Sequence, residues 1–103
     1  MQQDYDPALW NMWIVNLSQA CLGSISCNFR AITLSLQENT IVIACYLEND
    51  DVIDREEAVE IATMFEAIEG RRCKSSVIIG NAEIPQLKFP NLLFYRRREA
   101  SEG

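Results

Sequence analysis

Apolar residues recur at helical spacing near the N-terminus and at alternate positions soon afterwards. Trp10, Trp13, Ile14, Leu17 and Cys21 fall on one helical stripe. Asp6 is placed as an N-cap, and Pro7 sits at the first helical position, where its missing N–H costs nothing. Gly23 offers the left-handed stop. Leu9, Met12 and Val15 lie off the stripe, so this helix is either covered on more than one side or partly exposed for a partner. Residues 28–37 then alternate, with Ile32, Leu34 and Leu36 on one face and Ala31, Thr33 and Ser35 on the other. A polar turn at Glu38-Asn39 leads into residues 40–47, where Ile41, Ile43, Cys45 and Leu47 form the inward set. The two segments predict a hairpin with one face buried, although Phe29, Val42 and Tyr46 make the other face less polar than the pattern requires.

The period changes again after residue 50. Asp54 is read as the opening of a second helix, with Glu57 completing a D-x-x-E variant of the capping box. Ala58, Ile61, Ala62, Phe65 and Ile68 supply its apolar stripe, and Gly70 ends it. Val77, Ile78 and Ile79 mark a third strand over residues 73–80. Pro85 and Pro90 make residues 81–91 a loop, and residues 92–97 form a fourth strand ending in arginines. The order α-β-β-α-β-β predicts an α+β fold, an α/β sandwich in which two helices pack on one face of a mostly antiparallel four-stranded sheet. Strand order is left open. A chain of 103 residues has room for one compact domain, so residues 1–103 are taken as a single unit.

Charge changes the picture more than composition does. Hydrophobic residues make up 49% and charged residues 23%, which excludes wholesale disorder. Fifteen acidic residues against nine basic ones give a net charge of −6, a poor match to polyanionic nucleic acid and a good one to a basic partner. Nine of the acids lie between Glu48 and Glu69 with only Arg55 opposing them, a net −8 that leaves the rest of the chain at +2. A solvated helix face explains each acid singly. The whole run, with Glu56 and Glu60 repelling each other one turn apart, is better explained as a field that attracts something positive. The candidate binding residues are therefore Glu48, Asp50, Asp51, Asp54, Glu56, Glu57 and Glu60. Reversing Asp50 and Asp51 to lysine is then expected to slow association far more than it lowers stability.

Most chemistries are excluded. The chain has no histidine, which removes histidine-based triads and most zinc hydrolases. There is no P-loop, dinucleotide fingerprint or nucleophile elbow. Residues 49–54 fail the EF-hand pattern, because Val52 and Ile53 stand where oxygen ligands belong. Cys21, Cys27, Cys45 and Cys73 are spaced unlike metal-site pairs and read as reduced, mostly buried small apolar residues. No catalytic residue, metal or cofactor is assigned. The N-terminus is acidic where a signal peptide would be basic, and the apolar run from Ala8 to Leu17 is too short to span a membrane, so a cytoplasmic protein is expected. Arg96, Arg97 and Arg98 alternate faces at a strand end and serve to blunt an edge.

The stretch from Leu22 to Ile32, a glycine-led helix exit followed by Asn28-Phe29-Arg30-Ala31, resembles the CdiI-type immunity proteins of bacterial contact-dependent growth inhibition systems. The acidic turn into Asp54-Arg55-Glu56-Glu57-Ala58 and the closing segment from Ile84-Pro85 to Arg97 are also similar. The likeness runs from about Trp13 to Glu99, with Cys27 standing where proline is expected. The resemblance implies a non-enzymatic cytoplasmic protein that binds a cognate CdiA C-terminal toxin domain one to one. The toxin implied is a nuclease acting on tRNA or other RNA, with a host factor able to join through it. It implies no direct contact with nucleic acid or membrane. A rival reading is an adaptor subunit that docks through an exposed Trp10/Trp13 helix. A third is a metal-dependent carboxylate enzyme using Asp50, Asp51 or Asp54.

Overall fold

A computed structural model of the chain describes residues 7–21, 23, 25–81, 84 and 91–96. Two helices and four strands follow in the order α1 (Pro7–Ala20), β1 (Phe29–Gln37), β2 (Thr40–Leu47), α2 (Val52–Glu69), β3 (Cys73–Ile79) and β4 (Asn91–Arg96). The fold is α+β, with a four-stranded mixed sheet in the order β3-β2-β1-β4. β1 pairs antiparallel with both β2 and β4, while β2 and β3 run parallel. The parallel pair follows from the connection: α2 carries the chain back along the sheet, which a tight turn between strands cannot do.

The core lies between the helices and the sheet. Trp13, Leu17, Ala20 and Cys21 of α1 and Ala58, Ile61, Ala62 and Phe65 of α2 meet Ile32 and Leu34 of β1 and Ile41, Ile43, Cys45 and Leu47 of β2. Both helical stripes were visible in the spacing, with two differences. Ile14 is only half-buried, and Ile68 is exposed at the margin of the core. Met12 and Val15 point to solvent, which resolves the ambiguity of α1 in favour of partial exposure. The side chain of Trp10, the cap residue Asp6 and the proline loop at Pro85 and Pro90 lie outside the described residues, as do Arg97 and Arg98.

Two predicted features of the hairpin are corrected. Phe29 does not sit on the second face. A bulge between Phe29 and Ala31 leaves Arg30 as the extra residue, so Phe29 pairs with Leu47 and enters the helix-side core. Nor is only one face buried, because Ala31, Thr33, Ser35 and Tyr46 are all covered as well. β1 is a central strand, paired on both sides, and on that face Ala31 lies opposite Tyr46. Burial there raises the pKa of the Tyr46 hydroxyl, with the Thr33 side chain acting in the opposite direction.

α2 begins earlier than predicted. Asp51 is the N-cap, in extended backbone, and its side chain accepts the Asp54 N–H at 3.0 Å. Asp54 therefore occupies the third helical position, and Glu57 is not part of the cap. The helix ends at Gly70, whose φ of 80° suits glycine and whose N–H donates to Glu66 at 2.8 Å.

Candidate surface for partner binding

The nine acids of residues 48–69 divide into those used inside the fold and those left to solvent. Asp54 belongs to the first group. It is 7% exposed, accepts from the Ser26 hydroxyl at 3.1 Å and accepts from the Asn28 amide at 2.9 Å. The same Asn28 amide group donates to the Asn49 carbonyl, and its oxygen accepts the Asn49 N–H, both at 2.9 Å. Asn28 thereby ties the entry of β1 to the β2–α2 connection. Its position gave no sequence signal as a hub beyond a short polar side chain beside a turn.

Asp51 is spent on the helix cap, so reversing it to lysine removes a cap as well as a charge. At that residue a loss of stability is therefore expected beside any effect on association. Asp50 forms an ion pair with Arg55. That contact raises the guanidinium's already high pKa through the hydrogen bond and the charge of Asp50. Glu66 accepts the Cys73 N–H at 3.0 Å, and Glu69 accepts from Asn16 of α1 at 2.8 Å. Glu48 is exposed at the end of β2.

Glu56, Glu57 and Glu60 remain. Glu56 and Glu60 are exposed, Glu57 is half-buried, and none has a side-chain partner among the described residues. They share the outward side of α2 with a shallow depression lined by Val52, Arg55, Glu56, Val59, Glu60 and Thr63. With Arg55 already engaged by Asp50, no cation among the described residues pairs with the acids of this side.

The rival docking surface is not available as predicted. Trp13 is fully buried, and the Arg71 guanidinium lies 5.4 Å from the centre of its ring. The cysteines are free: Cys21 and Cys45 are buried, Cys73 is half-buried and Cys27 is exposed. Burial pushes the Cys21 thiol up to about 11 and the Cys45 and Cys73 thiols up to about 12. These groups stay protonated at neutral pH and make poor nucleophiles. No group of three or more cysteine or carboxylate side chains converges among the described residues, and no helix there is long and apolar enough to cross a membrane.

The outward face of α2 thus carries exposed acids above the core that its inward face shares with the sheet. No curated protein matches the chain significantly. Residues 11–99 match the MafI2 immunity proteins, and with that match spanning most of its length the chain belongs to the MafI2 immunity protein family, immunity proteins of bacterial toxin systems.

Proposed function

We propose that this protein neutralises a cognate toxin domain by covering a basic surface that the toxin needs for its substrate. The family match over residues 11–99 carries the reading, and the charge distribution gives it a physical form. A nuclease holds a polyanion and therefore presents lysines and arginines. The −8 segment offers such a surface an electrostatic competitor. A field of that kind raises association rates by roughly ten- to a thousand-fold at low salt. The CdiI resemblance extends the reading to a toxin borne as a C-terminal domain of the CdiA kind, acting on tRNA or other RNA. The complex is one to one, forms in the cytoplasm and involves no catalysis by this chain, which acts as one domain. A standard interface of about 800 Å² per partner is within reach of one face of so small a protein.

The test is co-expression with the protein encoded immediately upstream of this chain's gene, taken as the candidate toxin. Growth rescue, a one-to-one complex and an association rate that falls steeply with added salt are the expected results. A toxin that remains lethal and does not co-purify would overturn the pairing.

A further inference from the structure

All seven large hydrophobic side chains that stand exposed among the described residues are on the two helices, and five of them are on α2. Val52 is 70% exposed, Ile53 64%, Val59 55% and Met64 47%. Helical geometry sorts them into two adjoining rows. Val52, Glu56, Val59 and Thr63 follow one another at i, i+4, i+7 and i+11, and Ile53, Glu57, Glu60 and Met64 repeat the same spacing one residue on. The first row sets Glu56 between Val52 and Val59, and the second sets Glu57 and Glu60 between Ile53 and Met64. The inward side, with Ala58, Ile61 and Phe65, is already satisfied by the core. Folding therefore does not explain the outward valines and isoleucine. Branched residues are weaker helix formers than alanine or glutamate, and here they bury little.

We infer that this double row on α2 is the docking surface for the toxin, with Val52, Val59 and Met64 as the apolar centre and Glu56 and Glu60 as the charged contacts. The inference rests on the immunity reading and narrows it, since it moves the contact from the 48–51 loop to the helix. Charge selects the occupant. A second copy would bring Glu56 and Glu60 against their own counterparts, so self-association through this face is opposed. A toxin patch with exposed apolar side chains rimmed by lysine and arginine is complementary in both respects. The arrangement matches the anatomy of tight interfaces, where a small apolar centre carries affinity and flanking charge sets the rate of encounter.

The experiment uses the full chain and the upstream-encoded candidate toxin, with V59R, E56K/E60K and, as a control at the far hairpin turn, E38K. Binding kinetics, growth rescue and thermal melting are measured for each. V59R is expected to speed dissociation and E56K/E60K to slow association, each by at least about tenfold, with rescue lost and melting little changed. E38K is expected to behave as the parent does. Because V59R could disturb the helix, methyl NMR of the unmodified chain supplies a second readout, and the Val52, Val59 and Met64 methyl resonances should shift when the toxin is added. Parent-like binding by both variants, or methyl resonances that stay in place in a formed complex, would overturn the surface while leaving the immunity role standing. Failure of the parent chain itself to bind would remove the immunity reading and this surface together.

Discussion

Asp51 and Asp54 are identical side chains three positions apart, and the fold gives them different work. Asp51 stays exposed and closes the first turn of α2, while Asp54 is enclosed between Ser26 and Asn28. Replacing Asp54 by alanine removes the acceptor of the Ser26 hydroxyl and one of the two acceptors of the Asn28 amide. The variant should lose about 1–3 kcal/mol of stability, read by denaturant or thermal unfolding. Its affinity for the toxin, measured below its melting point, should stay close to that of the parent. This distinction could not be read from the sequence. An acidic run looks uniform along the chain, and only the approach of residues 26 and 28 decides which carboxylate is enclosed. Glu56 and Glu60 were legible as solvent-facing from their angle to Ala58, Ile61 and Phe65. The apolar residues beside them carry no such mark, because an apolar position off the stripe suits a second buried face as well as an exposed one.

Among the elements, β3 is the one whose environment only the sheet order discloses. In the parallel ladder with β2, the Arg72 carbonyl accepts from Ile41 at 3.1 Å and the Gly80 N–H donates to Leu47 at 2.9 Å. Even-numbered residues of β3 therefore turn their backbone groups toward β2, and odd-numbered residues turn theirs to the outer edge. At that edge Cys73 donates to Glu66, while Ser75, Val77 and Ile79 face no strand among the described residues. Amide hydrogen exchange should accordingly alternate along β3, with Lys74, Ser76 and Ile78 protected and Ser75, Val77 and Ile79 exchanging quickly. Uniform protection would show that another segment completes this edge. Lys74 is the charged residue within β3, a modest safeguard against edge-to-edge pairing.

At the scale of the whole molecule, one core shared by both helices and the sheet holds two of the raised thiols, with Cys73 packed at its margin. Unfolded cysteines ionise near pH 9, whereas burial holds Cys21 near 11 and Cys45 and Cys73 near 12. Below about pH 9 both states keep these protons, and the thiols impose no pH dependence. Above it the unfolded chain releases protons that the folded chain retains, so stability must fall as pH rises from about 9 toward 12. Thermal melting across pH 7 to about 10.5 should show this decline, and Cys45→Ala should make it shallower. A melting temperature that stays constant through this range would contradict the burial of these thiols.

Element type and order followed from local physics. Apolar spacing of three and four, strict alternation, Gly70 as a stop and a two-residue polar turn act within a few residues of chain, so the sequence alone determined two helices, four strands and their succession. It also determined the concentration of negative charge, which is a property of composition along the chain. The tertiary structure decided what depends on residues far apart. It set the strand order β3-β2-β1-β4 and the parallel pairing, because after a helical crossover the third strand can add beside β2 or on the far side of β1. It moved Phe29 into the core through a bulge that only its pairing with Leu47 fixes. It also divided the acids into structural and available ones, since burial is conferred by neighbours that arrive from elsewhere in the chain.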